Sequence, residues 1–495
     1  MSEAEEKANY KENLKATSLF GGVQVYNIII GIIRSKFVAV LLGPVGMGIN
    51  GLYGSTTGLI GSLADFGLGF SAVKNISEAN GTGDRNRIAL VISVFRKLVW
   101  VTGLLGLLAC LVLSPLLSKF TFGNKNYTYG FVILSCTLLF GQLSSGQGAL
   151  LQGLHKYKYM AKSGVIGSTI GLIITVPLYY IWKINAIVPV LVISSITSLL
   201  LSCYFTNKVG IKSIKVTYAD VRSEGTSMIK MGFFVSLNGL LVTAASYLVR
   251  IFVSNKGGLN DVGLYSAGLA IINTYVGLIF TAMGTDYYPR LSEVNKNAVK
   301  FNTLINNQIE IALLLLAPFI SGFIIYIRLV VRILYSTKFL PIEGMIYWAI
   351  FATYFKATSW AIAYSFLAKG DSKAFFWNEL IPNIYTLILN IVCYYFWGLT
   401  GMGVSFLISY ILYTLQVWII CSKKYKLKIA LSISKTFSIQ FLLSVCCIIL
   451  TLTAPICIKY GLGTVLIILS FYCSYKLLND RIGINNIIKQ RILRK

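Results

Sequence analysis

Read for hydropathy alone, the chain is a series of apolar runs separated by short polar stretches. A helix needs about 20 mainly apolar residues to cross a bilayer, and it must satisfy its own backbone hydrogen bonds there. By that rule about fourteen transmembrane helices are predicted, over 16–42, 49–72, 88–113, 128–152, 163–182, 187–206, 230–254, 262–286, 304–327, 342–367, 375–397, 400–421, 436–458 and 461–478. The weakest division is the last, where only Lys459-Tyr460-Gly461 separates two apolar runs.

The pattern also repeats. In the first hairpin, Arg34 and Phe37-Val38 precede a Gly43-Pro44 turn, then Gly51-Leu52-Tyr53 and Asn75-Ile76-Ser77-Glu78. Near the middle of the chain come Arg250 with Ile251-Phe252-Val253, the Gly257-Gly258 turn, Gly263-Leu264-Tyr265 and Arg290-Leu291-Ser292-Glu293. Leu151-Gln152-Gly153 and its basic loop are paralleled by Leu367-Ala368-Lys369-Gly370. The copies start about six helices apart, an even number, so both hairpins enter from the same side. Two six-helix lobes related by a pseudo-two-fold axis along the membrane normal are expected, with a substrate path between them. The lobes are placed at 1–206 and 230–421. Residues 207–229 form a cytoplasmic linker, and 422–495 hold two extra helices and a basic tail.

Composition agrees: 56% of 495 residues are hydrophobic, 12% are charged, and mean hydropathy is +0.73. This is an all-α polytopic membrane protein. A net charge of +27 raises nucleic-acid binding, but the cations lie between apolar segments rather than on one face. They act as topology signals instead. Lys74, Arg85, Arg87, Lys156, Lys158, Lys162, Lys208, Lys212, Lys215 and Lys423 to Lys428 fall in one set of alternating loops. The positive-inside rule puts that set and both termini in the cytoplasm. Arg328 and Arg332 are exceptions on the other side. The nine cysteines are scattered, and the single histidine, His155, lies in a basic loop. Neither suggests a metal or a disulfide framework. The first apolar run is longer than a signal-peptide core and is read as a retained helix.

No nucleotide-binding P-loop, zinc-protease motif or nucleophile elbow is present, so no catalytic residues and no cofactor are assigned. Charge inside membrane segments is costly and marks function by default. Arg34, Lys36, Arg250 and Lys356 would attract phosphate in a low-dielectric cavity. Snorkelling to the headgroups is the competing reading for the first three, whereas Lys356 lies deeper. Asp65 either pairs with Arg34 or couples an ion. Asp286, Glu310 and Glu379 are read as solvated interface residues.

The hairpin, with LLGPVGMGINGLY and then LADFGLGFSAVKNISEA, resembles the O-antigen translocase branch of the multidrug/oligosaccharidyl-lipid/polysaccharide exporter superfamily. The resemblance implies a flippase of the bacterial inner membrane. It would carry undecaprenyl-pyrophosphate-linked oligosaccharides from the cytoplasmic to the periplasmic leaflet by alternating access. It further implies that Arg34 and Arg250 hold the pyrophosphate, and that a polysaccharide polymerase and chain-length machinery act downstream. A cation-coupled multidrug or metabolite antiporter is the alternative, but it would call for acidic cavities. A polysaccharide polymerase would call for larger outer loops.

Overall fold

The computed structural model describes residues 3–211 and 214–482; Lys212 and the basic C-terminal tail lie outside them. Every regular element described is helical. Among the described residues, nine helical runs are long and apolar enough to cross a membrane. Four of these runs are broken by a single residue with positive φ, at Gly43, Lys183, Gly258 and Gly398. Each break divides one run into two helices. The rod 343–368, continuous through Ala352, adds a further crossing. Fourteen helices result: α1 (3–42), α2 (44–81), α3 (Arg85–Phe122), α4 (Thr128–Gly153), α5 (Tyr157–Trp182), α6 (Ile187–Asn207), α7 (218–257), α8 (259–293), α9 (Ala298–Leu334), α10 (343–368), α11 (372–397), α12 (399–425), α13 (Leu431–Thr453) and α14 (Ile456–Ile482).

The joints show why the chain can turn so sharply. Gly43 (φ 65, ψ −172), Gly258 (φ 75, ψ −177) and Gly398 (φ 55, ψ −139) occupy backbone space that is essentially reserved for glycine. Lys183 sits in the same region at φ 48, ψ −127, without that freedom. A second kind of turn ends α4 and α10. There the left-handed residues are His155 (φ 56) and Gly370 (φ 67). In both turns the next amide reaches back five residues, Lys156 to the Leu151 carbonyl at 2.8 Å and Asp371 to the Phe366 carbonyl at 2.9 Å. These are Schellman closures.

Three pairs of joints, Gly43 with Gly258, His155 with Gly370 and Lys183 with Gly398, each stand 215 positions apart. The internal repeat therefore has one constant register, set by the backbone. That register puts Arg34 opposite Val249 and Gly48 opposite Gly263. Matching by composition instead pairs Arg34 with Arg250 and Gly51 with Gly263. The equivalent glycines meet: a Cβ on Gly48 would strike the Leu259 carbonyl, and one on Gly263 would strike the Pro44 carbonyl.

By compactness the chain falls into two units, Met1–Gly263 with Leu334–Ser336, and Leu264–Ile333 with Thr337–Lys495. In the first unit, Leu68, Ala72 and Ile76 of α2 pack against Ile92, Phe95 and Val99 of α3 and Leu150 of α4. Hydroxyls then join neighbouring helices, as in Thr56 with Thr121 at 3.3 Å and Tyr26 with Thr169 at 2.7 Å. In the second unit, the Tyr354 hydroxyl of α10 bonds to Ser444 of α13 at 2.7 Å. Gln440 of α13 bonds to Ser470 of α14 at 2.6 Å, and Tyr326 of α9 to Thr464 of α14 at 2.8 Å. The last two helices are thus tied to the bundle by polar contacts, which lipid cannot replace. Outward-facing apolar side chains such as Leu104, Leu108 and Val112 of α3 are exposed, as a lipid-facing stripe requires.

Candidate functional site

Four of the five sequence-selected residues lie in the first unit, and they do not form one cluster of mutual contacts. Arg34 of α1 is half-buried against α5. Its guanidinium would lie 4.0 Å from a Cβ on Gly171. Lys36, two residues on, donates from Nζ to the Tyr335 carbonyl at 2.5 Å, just past the end of α9. A cation there completes a helix C-terminus, where its charge opposes the helix dipole. Arg250 of α7 folds back on its own helix, with Nη1 donating to Ser246 Oγ at 2.5 Å. Asp65, next to the break in α2 at Phe66-Gly67, is held by α4: Gln142 Nε2 donates to its Oδ1 at 2.5 Å and to Thr102 Oγ1 at 3.2 Å. Asp65 therefore pairs with an amide, and the ion pair with Arg34 is not formed.

The second unit holds a cavity of about 420 Å³. Lys356 of α10 reaches into it, with Trp360 and Tyr364 following on the same helical face. The opposite walls carry Glu379 and Asn383 of α11 and Tyr410 and Tyr413 of α12. The Lys356 ammonium stands 5.4 Å from the Phe280 ring, 5.5 Å from Tyr410 and 6.0 Å from Phe406. Ring faces stabilise a cation in an apolar setting by about 0.5–2 kcal/mol. Glu379 is occupied elsewhere, accepting from the Tyr413 hydroxyl at 2.9 Å. Asn378 in turn donates to the same hydroxyl at 3.2 Å and accepts from Gln416 at 3.0 Å. A cation and a carboxylate thus share one cavity without pairing among the described residues. Such a site offers donors and an acceptor to a polar ligand, with aromatic faces for its apolar edges.

Glu379 was expected at a solvated interface, yet it lines this cavity. Glu310 was expected there too, but it is only 6% exposed. Asp286 does behave as a surface residue, pairing with Arg290 at 3.0 Å on side chains about two-thirds exposed. The aromatic walls were also missed. Their signal was present as a helical face, Lys356, Trp360 and Tyr364 at i, i+4 and i+8.

Outside the spans, Asp371 caps α11 by accepting from the Ala374 amide at 3.2 Å. Lys424 and the Tyr425 hydroxyl, the latter at 2.6 Å, bind the same carboxylate. Those donors hold its pKa down at about 2.

The family described as polysaccharide biosynthesis protein matches residues 14–295, more than half of the chain. The chain belongs to this family. A Shigella flexneri protein described as a candidate O-antigen transporter is 23% identical over 386 residues, covering 76% of this chain and 90% of the relative. The Lipid III flippase of Escherichia coli (strain K12) is 20% identical over 400 residues, covering 77% and 92%. Among solved structures, Lipid II flippase MurJ in an inward closed conformation superposes with TM-score 0.69 at 16% identity, over 94% of this chain and 99% of that one. An inward-facing multidrug resistance transporter of the MOP superfamily gives 0.67 at 16% identity, over 83% and 96%. A member of the polysaccharide biosynthesis family with this fold is a membrane transporter, not a catalyst.

Proposed function

We propose that the chain is a flippase for lipid-linked oligosaccharides. It would carry undecaprenyl-pyrophosphate-linked repeat units of O-antigen or a similar surface polysaccharide from the cytoplasmic to the periplasmic leaflet, by alternating access. The observation that carries this reading is the family match over residues 14–295. Physical chemistry supports it: a sugar head bearing pyrophosphate cannot enter hydrocarbon without partners, and cations inside helices supply them. Arg34 and Arg250 are proposed to meet the pyrophosphate, with Lys356 acting in its own cavity. Lys36 has a weaker claim because its ammonium already serves the Tyr335 carbonyl. The loop charges support cytoplasmic termini, and a polymerase with its chain-length machinery would take up the delivered units.

The test is complementation of a flippase-deleted bacterium that makes the matching repeat unit. The wild-type chain should restore surface polysaccharide. Arg34→Ala and Lys356→Ala, at matched membrane levels, should accumulate lipid-linked units inside, with surface polymer reduced about tenfold or more, as loss of a charge-assisted contact predicts. Full activity in both variants would leave these cations as structural anchors. Resistance to cationic drugs with no surface polymer would favour the antiporter.

A further inference from the structure

Trp360 and Tyr364 of α10 do not serve one cavity alone. They form a wall of the cavity of about 420 Å³ that holds Lys356, and also a wall of a second cavity of about 380 Å³. The second cavity is completed by Phe280, Thr281, Gly284 and Tyr288 of α8. Both lie within the second unit. The two rings stand edge to face, with centroids 5.2 Å apart and planes at 76°, so their faces point in different directions. Gly284 lets them settle against α8. A Cβ there would come within 2.9 Å of the Tyr364 hydroxyl and 3.4 Å of the Trp360 ring. Both rings are half-buried, whereas Trp377 of α11 is 52% exposed, as a membrane-belt residue is.

The polar groups of the Lys356 cavity narrow the ligand. Lys356 has ring faces around it and no ion pair among the described residues, and Glu379 accepts from the Tyr413 hydroxyl. An organic cation would meet the ammonium, and an organic anion would meet the carboxylate, so one wall opposes each of them. A hydroxyl suits both walls, because it donates to a carboxylate and accepts from an ammonium. Ser409 of α12 adds a third group. It lines the cavity, is only 5% exposed, and its Oγ makes no hydrogen bond among the described residues. Elsewhere in α12, Thr414 bonds the carbonyl one turn back, that of Tyr410, at 2.7 Å. A buried hydroxyl left open is costly unless a ligand completes it.

A sugar ring meets these requirements together, with apolar faces for the aromatic rings and a rim of hydroxyls for the polar groups. We propose that the two cavities are the saccharide subsite of the second unit. Sugar rings stack on Trp360 and Tyr364, and hydroxyls pair with Lys356, Glu379 and Ser409. The proposal rests on the flippase reading and assigns sugar recognition to residues other than Arg34 and Arg250. A head without hydroxyls is rejected there, because it leaves the buried polar groups unpaired.

Binding to the purified full chain in detergent tests it, with two probes measured side by side. One is the lipid-linked repeat unit extracted from the flippase-deleted bacterium, and the other is undecaprenyl pyrophosphate without sugar. Wild type should bind the sugar-bearing lipid at least about tenfold more tightly. Trp360→Ala should erase that difference while binding undecaprenyl pyrophosphate as wild type does. Trp360→Tyr should keep most of the difference, because it keeps a ring. Ser409→Ala should shrink it about threefold. Trp377→Ala, outside the cavities, should leave it unchanged. A difference that persists in Trp360→Ala overturns the inference alone, and so does an equal loss for both lipids, which marks a merely structural role. Equal binding of the two lipids by wild type overturns it as well. Failure of wild type to bind either lipid overturns the flippase reading and the inference together.

Discussion

Asp371 shows how much a single side chain can do when several donors converge on it. Its carboxylate caps α11 and is bound by Lys424 and Tyr425 of α12, so it joins the start of one helix to the end of the next. The folded-state pKa of about 2 lies below the roughly 3.9 of an unfolded aspartate. A depressed pKa contributes stability above the unfolded value, and that stability is lost as pH falls through the folded one. Asn can still cap the helix but cannot form the ion pair. Asp371→Asn should therefore melt below wild type by a constant margin above about pH 4, and the margin should close as pH approaches 2. Melting curves in detergent across that range check it; a margin independent of pH would show that the ion pair adds nothing. At the same scale, the contrast between Asp371 and Glu379 explains why acidic residues were misjudged. Both stand near the start of α11. One reaches the loop, while the other turns inward to Tyr413, and only three-dimensional packing decides which.

Among the elements, the joints carry the lesson. Apolar runs revealed nearly every helix, because the bilayer enforces length and composition. They did not reveal that hairpins close at one residue, since positive φ leaves no mark except a glycine, and this chain has 44 of those. Repeat register was missed for the same reason. Small-residue motifs match at several offsets, whereas Gly43, His155 and Lys183 with their partners allow only one. Lys183 is the informative exception: it holds a glycine conformation with a Cβ, a strain of about 1–3 kcal/mol. Lys183→Gly should relieve it and raise the melting temperature, even after the added chain entropy of glycine is subtracted. Gly398→Ala, at the equivalent joint, should lower it by a similar amount. Both are read by thermal melts in one detergent; a Lys183→Gly variant less stable than wild type would mean that the lysine side chain contributes more than its backbone costs.

For the whole molecule, the candidate site was legible as residue types and not as an assembly. Arg34, Arg250 and Lys356 were found because charge inside apolar runs is conspicuous. Arg250 finds its neighbour, Ser246, on its own helix, but the helix face beside Arg34 and the rings around Lys356 come from helices distant in sequence. This distribution of fixed positive charge bears on how transport would be driven. A pyrophosphate-linked head moving outward takes about two negative charges from the negative to the positive side of the membrane. Each charge is worth about 2.3 kcal/mol per 100 mV, so the potential alone would offer about 4.6 kcal/mol per cycle, equivalent to a ratio of more than a thousandfold between leaflets. The cations stay with the protein, so the loaded form is closer to neutral and the empty form carries excess positive charge. On that scheme the return of the empty carrier is the voltage-sensitive step, and an inside-negative potential favours it. Proteoliposomes holding the chain and a fluorescent lipid-linked oligosaccharide, clamped with potassium and valinomycin, should flip faster as the interior is made more negative. Removing one charge by Lys356→Gln should flatten that dependence in whatever activity remains. Rates that ignore the clamped potential but follow a pH difference would point instead to the Glu379 carboxylate, the one acid in the Lys356 cavity, as the group that couples transport to an ion.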